Sequence, residues 1–391
     1  MEQHLNYDVV IVGAGIGGLY TAIKLPSDYK ILMICKDDMA TCDSMLAQGG
    51  ISVLRDEDDY DAYFEDTMRA GHYENRKESV EIMIRGSRAV IDHLVELGVP
   101  FDRTPDGELQ YTKEGAHSRA RICFHKDITG KAITDTLQEH VKTLSNVKIM
   151  EYTVMKDILV ENGECVGITA ESADGETLIV HAKDTVLATG GIGGLYEHTT
   201  NFPSLTGDAL TVAKKHGIRL EHLDYVQFHP TSLYRDTPGR SFLITESARG
   251  EGAILLNSKG ERFTDELQPR DVVSKAILKE MEKEGSKHVW LSFENVPREE
   301  ILAHFPNIHK KCLEEGYDIL KEPIPVVPAQ NYFMGGVYVD GDSKTTMEHL
   351  YAVGETSCNG VHGKNRLASN SLLESLVFAE RAAKKIAAGK E

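Results

Sequence analysis

Six residues near the N-terminus, Gly13, Ala14, Gly15, Ile16, Gly17 and Gly18, limit what this chain can fold into. They follow directly on Tyr7–Val12 (YDVVIV), a run rich in β-branched residues that reads as a buried strand. Leu19–Leu25 then reads as a helix and Tyr29–Ile34 as the next strand, giving a βαβ unit at the start of the chain. In such a unit the first glycine of G-x-G-x-x-G permits the tight turn. The second lets backbone approach a pyrophosphate, and the third lets helix and strand pack closely. The helix N-terminus turns unpaired N–H groups toward the phosphates. A plain Gly-rich turn without a ligand is the alternative; placement between strand and helix favours the dinucleotide site. The acidic ribose ligand expected about 20 residues on is displaced. The second strand runs into Cys35-Lys36-Asp37-Asp38, so Lys36 takes the cofactor position and Asp37 comes one step late. Ordinary NAD recognition is disfavoured by this, and the motif alone does not choose between NAD and FAD.

A chain of 391 residues has room for two or three domains. Its net charge is -18, from 43 basic and 61 acidic residues. That argues against nonspecific nucleic-acid binding and against an anionic membrane surface. An anionic substrate must therefore be held by locally placed cations. Cys35, Cys42, Cys123, Cys165, Cys312 and Cys358 show no C-x-x-C pair and no metal-like spacing. Free thiols, a cytoplasmic setting and no metal are expected. The opening residues MEQHLNYD do not resemble a signal peptide, and glycines break the apolar run Val9–Ile23 well short of a membrane span.

Further along, Glu78–Leu97 and Ile128–Leu144 have helical periodicity. Val147–Val154, Glu164–Glu171 and Leu178–His181 read as β segments, with Asn162-Gly163 and Asp174-Gly175 as hairpin turns. Asp184–Thr189 reads as another buried strand. From about Glu221 to Gln330 the texture changes to loops, prolines and scattered helices. A strand at Leu350–Val353 and a final helix from about Ser371 close the chain.

Nine stretches carry a family resemblance. They are LAQGGISV (46–53), ATGGIGGLY (188–196), TGDAL (206–210), VQFHPTSLY (226–234), TESARGEGA (245–253), PRD (269–271), MGGVYVD (334–340), LYAVGE (350–355) and HGKNRLASNSLLE (362–374). Taken in order, they resemble the flavoprotein family of L-aspartate oxidases, succinate dehydrogenases and fumarate reductases. The resemblance implies an α/β fold: an FAD-binding Rossmann-like domain, residues 1–220 and 331–391, with an inserted α+β capping domain, residues 221–330. It implies FAD held by the Gly13–Gly18 loop and Lys36. Asp43, Ser44, Met45, Leu46, Ala47, Gln48, Gly49 and Gly50 would line the flavin, with Asp208 nearby. Glu355 would contact the ribityl or pyrophosphate portion. Ser371 and Leu372 would offer backbone N–H groups to the flavin carbonyl from the start of a helix. In respiratory relatives a histidine on the AQGG loop bonds covalently to FAD. Asp43 stands there, which implies noncovalent FAD.

For the substrate, the resemblance makes Arg270 the proton-transfer residue. A guanidinium is a poor base unless desolvated and paired, so a relay with carboxylates is implied; a surface pair with Asp271 is the ordinary alternative. His229 and Arg366 would bind carboxylates, for which a planar Arg fork is suited. A core histidine and a helix-flanking ion pair are their alternatives. Thr245, Gln227 and His362 are further substrate candidates, though buried Thr and Gln often just satisfy backbone. Glu114, in Thr112-Lys113-Glu114-Gly115-Ala116-His117-Ser118, matches the pattern in which aspartate oxidases orient the substrate ammonium; a solvated loop acid is the alternative. Asn331 stands where the family usually has histidine, and it cannot be a cation. Aspartate oxidases continue into a C-terminal helical domain, which is expected to be absent from a chain ending at Glu391.

The resemblance thus implies oxidation of L-aspartate to iminoaspartate, with electrons passed to fumarate or oxygen; another small dicarboxylate is the alternative ligand. This oxidation is the first step toward quinolinate and NAD, and quinolinate synthase is the implied recipient of the imine. Two rivals stay open: a soluble fumarate reductase or succinate-oxidising flavoprotein, and a catalytically idle FAD-binding interaction protein.

Overall fold

The structure, a computed structural model, describes residues 2–237 and 239–389. Among these residues a seven-stranded sheet runs Val147–Met150, Ile31–Ile34, Glu2–Val12, Thr177–Leu187, Glu164–Glu171 and Val154–Glu161, with Leu350–Ala352 pairing on Thr177–Leu187. The first four strands and Leu350–Ala352 are mutually parallel; the hairpin of Val154–Glu161 and Glu164–Glu171 adds on antiparallel. Val9–Val12 is apolar throughout because both of its faces are covered. Val9 and Ile11 enter a cluster with the helices Ile16–Lys24 and Asn370–Ala388. Val10 and Val12 enter the opposite cluster, with Val212 and Val337. The strand pleat alone accounts for this division.

A second sheet contains Val226–Leu233, Ile254–Leu256, Val289–Ser292 and Ile324–Phe333. It shares a separate apolar cluster, from Leu233 to Val326, with the helices Arg270–Glu284, Arg298–His304 and Pro306–Glu314. His198–Thr199 joins this sheet by pairing Thr199 with Gln330, and Ile324–Phe333 continues past residue 330.

Two sequence expectations are revised. Leu178–His181 and Asp184–Thr189 are one strand, Thr177–Leu187. The charges at the join do not break it: Lys183, between the two segments, points outward and donates to Gly389 O, and the buried Asp184, first of the second segment, pairs with His349. Val147–Val154 is instead two strands, separated at Tyr152, whose left-handed backbone (φ 52°) makes the turn.

At Gly13 the chain turns with φ 117°, and a Cβ there would stand 2.0 Å from Ala188 O. Only glycine can make this turn against the neighbouring strand.

Candidate active site

A cavity of about 400 Å³ opens at the carboxyl ends of the parallel strands, where Val12, Cys35, Ala188 and Val353 stand. This is the crevice in which open α/β sheets bind ligands. The cavity continues under the second sheet to Thr245, Glu246, Arg270, Asn331 and Arg366.

In the sheet half, Gly13–Gly17 form one wall. Gly18 does not line the cavity; it packs beneath, where a Cβ would stand 2.2 Å from Gly13 O. Ile16 N–H donates to Ser44 Oγ at 3.1 Å, tying the glycine turn to the 43–50 loop. All eight residues of that loop face the cavity. Lys36 Nζ donates to Ser204 O at 3.0 Å and Thr206 Oγ1 at 2.9 Å, and pairs with Asp208 Oδ2 at 3.1 Å. Asp43 Oδ1 accepts from Phe202 N–H at 3.0 Å, while Oδ2 is buried with no partner among the described residues. Burial pushes the Asp43 carboxyl up to about 7, against the Phe202 N–H and the Arg240 charge. Glu355 accepts from Phe333 N–H and is pushed up to about 8, by burial and then by Asp43. Ser371 and Leu372 line the cavity from the first turn of Asn370–Ala388.

These residues fit FAD. The glycine turn leaves room for a pyrophosphate. Carboxyls that hold protons near neutrality can donate hydrogen bonds to an uncharged ring or ribityl chain, and Asp43 Oδ2 has a place for one.

In the other half two guanidiniums converge. Arg270 Nη1 and Arg366 Nε both donate to Gln227 Oε1, at 3.1 and 3.2 Å. With the Asn331 amide oxygen turned toward them, Arg270 Nη1 and Arg366 Nη2 donate to it at 2.9 and 3.0 Å, and the amide nitrogen donates to Thr200 Oγ1. The opposite orientation would set the amide nitrogen against donors alone. Two neutral carbonyls thus hold two cations side by side. Burial, then the Arg270 charge, pushes Arg366 down to about 10. Arg270 Nε is bound by Glu246, and Arg249 Nη2 lies 3.5 Å from the same Glu246 oxygen. Burial opposes ionisation of Glu246, but Arg270 and Arg249 outweigh it and hold the carboxyl below its usual range.

Glu114 is buried and lines the cavity, so it is no solvated loop acid. Burial, then the Glu246 charge, pushes its carboxyl above the usual range. Thr245 lines the cavity too. Gln227, His229 and His362 do not. Gln227 is the bracket between the arginines. His229 accepts from Thr231 N–H at Nδ1, which leaves the ring proton on Nε2, a buried atom without a partner among the described residues. Burial and the charges of Arg270, Arg249 and Arg366 keep this ring neutral. His362 backs the cavity-lining Tyr332 and is held down to about 3 by burial and Arg366.

Sequence reasoning named the TESARGEGA stretch but not its Glu246, Ser247 or Arg249. The implied need of Arg270 for a carboxylate partner is the available signal, and Glu246 is one of the two acids, with Glu251, within that stretch.

The family described as FAD binding domain matches residues 8–372. L-aspartate oxidase of Clostridium perfringens is 50% identical over 380 residues, covering 97% of this chain and 86% of that protein. L-aspartate oxidase of Clostridium acetobutylicum is 48% identical over 385 residues, covering 98% and 88%. The chain belongs to the L-aspartate oxidase family. Its fold is also that of E. coli quinol fumarate reductase, with a TM-score of 0.92, 31% identity, and coverage of 99% of this chain and 70% of that one. As a member of the L-aspartate oxidase family the chain is an FAD-dependent oxidoreductase, and FAD is its cofactor.

Asp43 offers no imidazole for a covalent link, so acid or heat is expected to release all of the flavin as intact FAD. Chromatography of the supernatant after precipitation checks this. Flavin that stays with the denatured chain would contradict it.

Proposed function

We propose that this enzyme oxidises L-aspartate to iminoaspartate, the first step toward quinolinate and NAD, with oxygen or fumarate taking the electrons. The observation that carries the proposal is one cavity holding two convergent guanidiniums, Arg270 and Arg366, together with the buried acid Glu114. Two cations suit a dicarboxylate. An acid in the same cavity suits a substrate that also bears an ammonium and would repel a plain dianion.

In this proposal residues 221–330 are the cap and the remainder is the FAD-binding domain. Bound FAD supplies the two-electron acceptor. Arg366 takes a substrate carboxylate with its planar fork, aided by the Thr245 hydroxyl. Gln227 and Asn331 hold the two guanidiniums in register. A terminal nitrogen of Arg270 exchanges protons with substrate. Glu246 and then Arg249 form the relay behind it, which the contacts at Glu246 support. Glu114 orients the ammonium. The seated cap keeps water from the reacting atoms. The hydrolysis-prone imine would pass to quinolinate synthase. Among the described residues all six cysteines are free thiols, which suits a cytoplasmic site of action; no helix of these residues is long and apolar enough to cross a membrane.

Glu114→Gln tests the assignment of the amine. A charge-assisted hydrogen bond is worth about 1.5–3 kcal/mol, so kcat/KM for aspartate should fall about tenfold to a hundredfold. Fumarate reduction should fall less, or rise as repulsion is removed. Parallel assays with aspartate, fumarate and succinate read the difference. Equal losses with all three would leave Glu114 a loop support only, and no turnover with any of them would leave an idle FAD-binding protein.

A further inference from the structure

The Glu114 carboxylate is gripped from two sides. Ser247 Oγ donates to Oε1 at 2.8 Å, and Ser369 Oγ donates to Oε2 at 2.5 Å. Ser247 sits on the short helix Glu246–Gly250 in the cap segment. Ser369 precedes Asn370–Ala388 on the flavin side and has a left-handed backbone, φ 64°. That conformation is uncommon for a residue other than glycine and indicates that surrounding contacts fix it.

The loop carrying Glu114 touches the cap at two further points. Ala116 N–H donates to Leu267 O at 2.7 Å. Gly250 lies so close to the loop that a Cβ there would stand 2.2 Å from Lys113 O. A segment that belongs by sequence to the FAD-binding part is therefore docked on the cap.

We propose that Ser247 and Ser369 form a hydroxyl bridge across Glu114 that is complete only when the cap is seated, so that the closed site alone presents an aimed carboxylate to the substrate ammonium. The inference rests on Glu114 reading that ammonium. Ser247 is a positioning residue: it acts through Glu114 and is not among the residues lining the cavity. The bridge ties amine recognition to closure. An amino acid gains a contact by closing the cap, and a dicarboxylate without nitrogen does not.

The charged groups facing Glu114 are Glu246, which opposes its ionisation, and Arg270, which favours it; Arg249 on the same short helix is coupled to it as well. Both serine hydroxyls favour the carboxylate form. Removing one raises the pH at which Glu114 becomes an anion.

The test is the pH profile of kcat/KM for the holoenzyme and its Ser247→Ala variant, with aspartate and with fumarate. For aspartate the acid limb should move up by about one pH unit, with about a tenfold loss on that limb, carried more by KM than by kcat. For fumarate the acid limb should stay in place. Ser369→Gly removes the second hydroxyl while suiting the left-handed backbone, and it should shift the aspartate limb the same way. Unmoved aspartate limbs in both variants, at wild-type FAD content, overturn the bridge. So does an equal shift with both substrates, which would mark a general loosening of the cap. Glu114→Gln separates the two levels. If it costs aspartate turnover while both serine variants are silent, only the bridge fails. If Glu114→Gln is itself silent, the ammonium assignment fails first.

Discussion

Arg270→Leu is expected to give a yellow, folded protein whose turnover with aspartate falls by about 10²- to 10⁴-fold, the usual worth of a positioned proton-transfer group. Leucine fills much of the arginine stem volume but carries no proton. The substitution also removes the partner of the buried Glu246, which then has Arg249 beside it, 3.5 Å away. A companion variant with Glu246→Gln added separates the two effects. It should leave turnover low, and any further fall in thermal stability measures the remaining buried pair of Glu246 with Arg249. Rapid mixing of oxidised enzyme with aspartate, following the loss of flavin absorbance, reads the reductive step alone. Near-normal flavin reduction in Arg270→Leu would rule out an essential proton role in aspartate oxidation. Fumarate reduction needs its own measurement, because there a proton enters in a different step.

The second large effect is on stability. Arg121 is fully buried and closes a polar knot. Its Nε and Nη2 donate to the two oxygens of Asp59, each at 2.8 Å, and Nη1 donates to Asp66 at 2.8 Å and meets His117 Nδ1 at 2.9 Å. The guanidinium also lies 4.8 Å from the centre of the Tyr63 ring. Arg121→Leu takes the buried cation from two buried carboxylates and leaves Asp66 with the half-exposed Arg69 at 3.2 Å and Asp59 with the half-exposed Arg119 at 3.5 Å; breaking a buried pair costs about 3–5 kcal/mol. Urea unfolding followed by far-UV circular dichroism should show the midpoint falling sharply. Adding Asp59→Asn and Asp66→Asn should recover part of the loss. A midpoint equal to wild type in Arg121→Leu would mean that the carboxylates find other partners. The damage should reach the active site, because the same knot holds Ser118 through Asp66 and Ala368 through His117. Those two residues flank the segments that carry Glu114 and Ser369.

What the sequence discloses and what it hides follow from range. The Gly13–Gly18 turn is legible because strand, turn and helix are adjacent and their chemistry is local. The final helix is legible from about Ser371 for the same reason; it begins at Asn370. The arginines, Gln227 and Asn331 could all be nominated from the resemblance, but not the role of the last two, whose carbonyls hold the guanidiniums. Gln227 lies 43 residues from Arg270 and 139 from Arg366. His229 and His362 are placed with the substrate residues by their motifs; neither is among the residues that line the cavity, and burial and neighbouring guanidiniums keep both rings neutral. No periodicity or spacing reports on such a field. The Arg121 knot left no mark on the sequence reading, since its acids lie 55 and 62 residues away on unrelated elements. Lys183 and Asp184 lie at the join of two segments read as separate strands, and they turn out to be one outward and one paired residue of a single strand.

The pairing of Leu350–Ala352 with Thr185–Leu187 sets an order of events during synthesis. The central sheet takes one of its parallel strands from far down the chain, and the glycine turn shares its cavity with Gly354, Ser371 and Leu372. A ribosome adding about 5–20 residues per second has made the glycine turn many seconds before these partners emerge. For that interval the carboxyl end of Thr177–Leu187 is an unpaired strand edge, which is a hazard for association with other nascent chains. Cofactor loading must therefore follow synthesis of the chain through Leu372, and deletions that remove the chain from Leu350 onward should yield an aggregating apoprotein, not a smaller flavoprotein.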